Sequence, residues 1–165
     1  MSKGIGGHQR AFRGKTNEWL TPPNIITALG EFDLDPCSPV VRPWDTAKKH
    51  YHIEDDGLAQ KWEGRVWLNP PYGNEAEDWL KRLAEHGNGI ALIFARTETA
   101  MFFDWCWNKA NSMLFLKGRL FFHTVDGARA KHNGGAPSVL IAYGASNTAA
   151  LEASKIEGQM VYLRN

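Results

Sequence analysis

The sequence predicts an α/β fold on a mostly parallel sheet with an antiparallel hairpin at one edge, and three observations carry that reading. The runs Arg65–Leu68 and Gly89–Phe94 read as buried strands. Between them Glu75–His86 is amphipathic, with Trp79, Leu80 and Leu83 on one side, so the order is strand, helix, strand and the strands are parallel. Further on, Arg119–His123 and Ser138–Tyr143 flank a glycine-rich loop and pair as the edge hairpin.

From the N-terminus, Met1–Lys15 carries Gly4, Gly6, Gly7 and Gly14 among basic and polar residues and reads as a flexible basic arm. Residues 16–165 then form one domain. Pro22–Leu29 is a short helix, with Thr21 as its cap and proline in its first turn. Phe32–Asp35 is a strand stopped by Pro36, and Ser38–Asp45, broken by Pro39 and Pro43, is a loop. One or two helical turns follow over Asp45–His50, then a short strand at Tyr51–Ile53 before the acidic cluster Glu54-Asp55-Asp56-Gly57. After the central strand, helix, strand unit come a helix at Ala100–Lys109 and a strand at Ser112–Leu116. Beyond the hairpin lie a helix at Thr148–Ile156 and a last extended segment, Met160–Leu163.

With 165 residues, 43% of them hydrophobic and 22% charged, the chain suits one ordinary globular domain and leaves no room for a separate large recognition domain. The net charge of +1 argues against coating nucleic acid by bulk charge and leaves room for a local basic patch. Cys37 and Cys106 stand far apart and the six His show no ligand spacing, so neither a disulfide framework nor a metal site is expected. Without an apolar leader or membrane-length run, the expected location is the cytoplasm, that of a host cell if the chain is phage-encoded. Trp62, Trp67, Trp79, Trp105 and Trp107 read as core.

The chemistry concentrates at Asn69-Pro70-Pro71-Tyr72, directly after a strand. Neither proline donates a backbone hydrogen bond and both restrict φ, so the turn is stiff and presents carbonyl acceptors without competing donors. Such a turn suits a flat heterocycle bearing an exocyclic amine. Ligands of open α/β sheets bind beyond the carboxyl ends of the strands. Asp35, Asn69 and Arg96 each follow or end a strand and belong to that one edge.

In these residues and their flanking blocks the chain resembles the phage Dam-like DNA N6-adenine methyltransferases. The blocks are Trp19-Leu20-Thr21-Pro22-Pro23, Leu34-Asp35-Pro36-Cys37, Asp55-Asp56-Gly57-Leu58, Val66 to Tyr72, Ala95-Arg96-Thr97-Glu98-Thr99 and Gly118-Arg119-Leu120-Phe121-Phe122. They run in the expected order from about Glu18 to Gly144. The tetrapeptide is shared by enzymes that methylate DNA adenine, RNA adenine or protein glutamine; the other blocks narrow the resemblance to DNA.

The resemblance implies a Rossmann-like S-adenosylmethionine-dependent methyltransferase acting on adenine N6 in double-stranded DNA, at a short palindrome such as GATC. It implies that Asn69, Pro70, Pro71 and Tyr72 are catalytic, the Asn69 oxygen and Pro70 carbonyl accepting from the target amine and Tyr72 stacking on an extruded base. Trp19, Thr21, Pro22, Asp35, Pro36, Cys37, Asp55, Asp56 and Leu58 then hold the cofactor, Asp35 facing its positive charge. In one departure, Ser38-Pro39 stands where methyltransferases in general carry a glycine pair. The basic loop Lys117–Pro137 supplies DNA contacts through Lys117, Arg119, Arg129, Lys131 and His132, joined by Arg96 of the fifth block, with Arg10, Arg13 and Lys15 adding phosphate contacts from the arm. The alternatives are an amino-methyltransferase for RNA adenine or protein glutamine, and a catalytically silent nucleic-acid-binding module.

Overall fold

In the computed structural model, which describes residues 19–165, short apolar strands alternate with helices that shield them. The arm predicted over residues 1–15, with Arg10, Arg13 and Lys15, lies outside the described residues. The elements are α1 (Pro23–Leu29), β1 (Leu34–Asp35), β2 (Lys49–His50), a 3-10 turn (Ile53–Asp55), β3 (Val66–Leu68), α2 (Ala76–His86) and β4 (Gly89–Phe94). There follow α3 (Ala100–Phe102), which winds on into a π-helical turn (Phe103–Trp107), then β5 (Ser112–Leu116), β6 (Ser138–Tyr143), α4 (Ala145–Ala153) and β7 (Gly158–Tyr162).

The strands make one seven-stranded sheet in the order β2-β1-β3-β4-β6-β5-β7. Strands β2, β1, β3 and β4 pair in parallel. Strand β6 is antiparallel to both β4 and β5, and β7 is antiparallel to β5. The antiparallel ladders are the longer ones. All of Gly89–Phe94 is matched to Tyr143–Ser138, whereas β1 meets β3 at the single register pair Leu34 and Val66.

The sheet is therefore mixed and mostly antiparallel, which corrects the expectation of a mostly parallel sheet with an antiparallel edge hairpin. All six residues of β6 are buried, and a strand of that kind is covered on both faces and paired along both edges only inside a sheet. Its expected partner, Arg119–His123, forms no ladder, with Arg119 exposed and His123 held only in isolated bridges to Leu20 and Arg129. The edge belongs instead to β7.

Three local expectations also change. Asp45–His50 is not helical, because its end is drawn alongside β1. The amides of Lys48, Lys49 and Tyr51 donate to the carbonyls of Phe32, Asp33 and Asp35 at 3.0, 3.0 and 2.9 Å, so the strand expected at Tyr51–Ile53 sits earlier, at Lys49–His50. In the segment expected as one helix over Ala100–Lys109, a single α turn capped by the Thr99 side chain gives way to the π turn, which keeps both Phe102 and Cys106 buried.

Alternation along the strands separates two cores. On one face Trp67, Ile90, Leu92 and Phe94 pack with Ile25, Ile26 and Leu29 of α1 and Leu151 of α4. On the other, Val66, Leu68, Ala91 and Ile93 pack with Leu80 and Leu83 of α2 and with Phe102 and Cys106. Each such large apolar side chain contributes roughly 1.5–3 kcal/mol on burial. The result is a helix, sheet, helix sandwich whose polar strand ends emerge along one rim.

Candidate active site

From β1 the chain goes to β2 on one side of the sheet, and later to β3 on the other. The strand order thus reverses beside β1, where open α/β sheets form their binding crevice. Asp35 ends β1 and Asn69 follows β3, so the two strand ends singled out in the sequence flank this point. Arg96 follows the neighbouring β4.

Asp35 is 4% exposed. Its carboxylate accepts from the Cys37 amide at 3.1 Å and from the Thr46 hydroxyl. Burial raises its pKa to about 6, against the lowering effect of those hydrogen bonds and of the Arg42 guanidinium. The Cys37 contact closes the turn after β1, so an aspartate side chain organises the backbone that glycines would otherwise shape. Ser38 adds a bond from its amide to the Tyr51 carbonyl at 2.9 Å. Thr46 is in turn held by His50, whose Nε2 accepts from the Thr46 and Ala47 amides at 3.2 and 3.3 Å. Burial and the Arg42 charge lower the His50 pKa, which favours the neutral ring that can accept.

The acidic cluster lies against the same turn. A Cβ on Gly57 would stand 2.0 Å from the Pro36 carbonyl oxygen, so only glycine allows this approach. Asp56, exposed and at φ 52°, precedes it, and Leu58 is half-buried. Asp55 caps the 3-10 turn, its carboxylate accepting from the His52 amide at 3.0 Å.

Asn69 is half-buried, and its side-chain nitrogen donates to the Thr21 hydroxyl at 3.2 Å and the Trp19 carbonyl at 3.4 Å. Thr21 does not cap α1 as expected; Pro22 occupies the cap position, with no side-chain hydrogen bond. Pro70 is buried and Pro71 and Tyr72 are half-buried. The Tyr72 ring stacks on Phe94, and burial raises its hydroxyl pKa far above the ordinary phenol value. Pro70, Pro71, Tyr72, Phe94 and Arg96 line a cavity of about 240 Å³. The Arg96 guanidinium stands 5.9 Å from the Phe94 ring.

A second cavity, about 480 Å³, lies between Trp19 and the basic loop and is lined by Phe122, Arg129, Lys131 and His132. The loop is anchored from below. Leu20 and His123 exchange backbone hydrogen bonds of 2.8 and 2.9 Å, and the His123 ring meets Trp44 edge-on at 5.3 Å. Arg129 lies over the Phe121 ring at 4.0 Å. Arg129, Lys131, His132 and Arg119 are exposed. Lys117, also exposed, stands apart from that cavity's lining and pairs with Glu157 at 3.9 Å.

Among the described residues, Asp35 and Asn69 flank the strand-order reversal, Trp19 and Thr21 touch Asn69, and Arg129, Lys131 and His132 line the cavity beside Trp19, whereas Lys117 pairs with Glu157 just before β7. Thr46, His50, Phe94 and Trp44 were not singled out from the sequence. Phe94 was legible in principle, since it continues the alternate positions Ile90 and Leu92 to the strand end beside Asn69. Thr46 and His50 carry no local signal, because their partners depend on how the loop folds back along β1.

Among the described residues there is no cluster of three or more His, Cys, Asp or Glu arranged to hold a metal ion. No described helix is long and apolar enough to cross a membrane. The family model described as DNA N-6-adenine-methyltransferase (Dam) matches residues 10–155. No curated protein and no solved structure matches the chain.

Proposed function

Since the chain belongs to the DNA N-6-adenine-methyltransferase (Dam) family, we propose that it transfers a methyl group from S-adenosylmethionine to N6 of an adenine extruded from double-stranded DNA. Residues 16–165 act as one Rossmann-like catalytic domain, and Asn69, Pro70, Pro71 and Tyr72 form its catalytic turn. The observation that carries this reading is the Asn69 amide at the rim beside the strand-order reversal, with its nitrogen engaged by Thr21 and Trp19.

With the nitrogen so engaged, the Asn69 oxygen is the acceptor available to an incoming amine. The Pro70 carbonyl offers a second, since a proline-proline turn has no competing N–H. Adenine N6 is a poor nucleophile because its lone pair is delocalised into the ring. Two acceptors on its two hydrogens draw the lone pair back to nitrogen. The cofactor supplies an electrophilic methyl group on a sulfonium. As N6 bonded to the methyl carbon, the sulfur would depart with the C–S electron pair as a neutral thioether, and the extra proton on N6 would pass to water. What the protein contributes is position and electrostatics.

A buried carboxylate fits a cationic cofactor. Asp35 carries two hydrogen bonds from the protein, leaving acceptor capacity for the positive charge. Trp19, Pro22, Pro36, Cys37, Asp55, Asp56 and Leu58 complete that side in this reading, with Thr21 beside them bonded to Asn69; Asp55 also keeps its capping bond. Tyr72 offers the base an aromatic surface that offsets part of the roughly few kcal/mol lost on unstacking. Arg96, Arg119, Arg129, Lys131 and His132 meet the phosphates, and the exposed Lys117 adds long-range attraction.

The test is transfer of tritiated methyl from S-adenosylmethionine to double-stranded DNA, RNA and protein offered together. Label in the N6-methyladenine of DNA is expected. Label confined to RNA or protein would move the substrate, and DNA binding without transfer to any acceptor would make the chain a silent binding module.

A further inference from the structure

We infer that Thr21 is a positioning residue for Asn69, holding its amide in the one orientation that presents oxygen to the target amine; this rests on the function proposed above. An asparagine amide can be turned either way, and only its surroundings decide which end faces which group. The Trp19 carbonyl, 3.4 Å from the amide nitrogen, cannot donate, so the NH2 end must face it. The Thr21 hydroxyl, 3.2 Å away, could donate or accept; with the orientation set by the Trp19 carbonyl it accepts from the same nitrogen and anchors the amide there. Rotation of the amide by half a turn would set two oxygens, those of Asn69 and Trp19, against each other.

Thr21 is suited to the task. It is 2% exposed, and its hydroxyl is not used as the helix cap its sequence position suggests. The residue before it is held from the far side, because the backbones of Leu20 and His123 bond in both directions at 2.8 and 2.9 Å. One short strip, Trp19 to Thr21, therefore touches the catalytic turn on one side and the basic loop on the other. A residue placed by its sequence block among the cofactor contacts acts in this arrangement on the orientation of the acceptor.

The two roles separate kinetically. Thr21→Val keeps the shape and removes the hydroxyl, while Thr21→Ser keeps the hydroxyl. Rates are read at saturating DNA and cofactor, with cofactor Kd from calorimetry and folding from thermal melting. Loss of a buried hydrogen bond predicts a fall in kcat of about tenfold or more for Thr21→Val, with cofactor Kd within about twofold of wild type. Thr21→Ser is expected to retain most of the wild-type kcat. If Thr21→Val does not fold, Thr21→Ala is read in the same way. An unchanged kcat with a raised cofactor Kd would overturn the inference in favour of a direct cofactor contact, as would equal losses in the serine and valine variants. A wild-type chain that transfers no methyl group to DNA would instead overturn the proposed function itself.

Discussion

Tyr72 lies flat against Phe94, ring centroids 4.5 Å apart and planes 19° from parallel. Phe94 closes β4 and is 7% exposed, so a core residue sets the tilt of the aromatic side chain in the Asn69-Pro70-Pro71-Tyr72 turn. Aromatic pairs contribute about 0.5–1.5 kcal/mol beyond burial. Tyr72→Ala should raise the KM for DNA severalfold and Tyr72→Phe should change it little, since the ring and not the hydroxyl is used. Phe94→Leu, which keeps the site apolar, should move KM in the direction of Tyr72→Ala. Steady-state kinetics on a short duplex measures all three; equal losses for Tyr72→Phe and Tyr72→Ala would assign the hydroxyl a role.

Asn69→Ala removes the acceptor and leaves the backbone turn intact. By analogy with loss of one preorganised hydrogen-bonding group in other enzymes, kcat should fall about 10²–10³-fold. Cofactor binding followed by calorimetry should stay near wild type. Transfer at an undiminished rate would remove Asn69 from the mechanism.

The Asp35 carboxyl titrates near 6 in the folded protein, above its ordinary value of 3.8, chiefly because it is buried. Between those two values the folded protein holds a proton that the unfolded chain has released. Stability of the ligand-free protein should therefore fall as pH rises through that window, by up to about 3 kcal/mol, and level off above it. Asp35→Asn should remove this slope from urea titrations at a series of pH values. Cofactor affinity should run the other way, rising as the carboxylate ionises and reaching a plateau above about pH 6.

Gly57→Ala sets a methyl group 2.0 Å from the Pro36 carbonyl oxygen, a backbone atom that cannot step aside. The acidic loop should be forced off the turn after β1. The expected cost is about 1–3 kcal/mol in thermal or denaturant unfolding, accompanied by weaker cofactor binding. A variant as stable as wild type would show that the loop can shift without consequence.

Lys131 is exposed at the larger cavity. Lys131→Ala should weaken DNA binding evenly across sequences and reduce the slope of log K against log salt by about one unit. Arg129→Ala should do the same and also release the Phe121 ring beneath it. Fluorescence anisotropy over a salt series distinguishes this from a sequence-specific contact, which would affect only some duplexes.

Local periodicity made β4 and α2 legible, proline in the first turn marked the helix starting at Pro23, and the polar residues at strand ends marked Asp35, Asn69 and Arg96, because each depends on residues within a few positions. The place of Ser138–Tyr143 was not legible. Its six buried residues are compatible with a hairpin or an interior strand, and the choice depends on pairing with β4 across more than forty positions of chain, as Phe94 meets Ser138. The same holds for Thr46. A threonine in a proline-flanked loop carries no sign that its hydroxyl will reach a carboxylate eleven positions earlier.

The interior position of β6 has a consequence for how the protein is made. Until Ser138–Tyr143 leaves the ribosome, β4 and β5 each present an unpaired edge, one of them a fully buried apolar strand in the finished protein. Such edges invite association between chains. A nascent chain that already contains the Asn69-Pro70-Pro71-Tyr72 turn and the loop after β1 therefore cannot complete the sheet that supports them. Synthesis must proceed past the basic loop before β6 closes the gap between β4 and β5, and until then edge-to-edge association competes with folding.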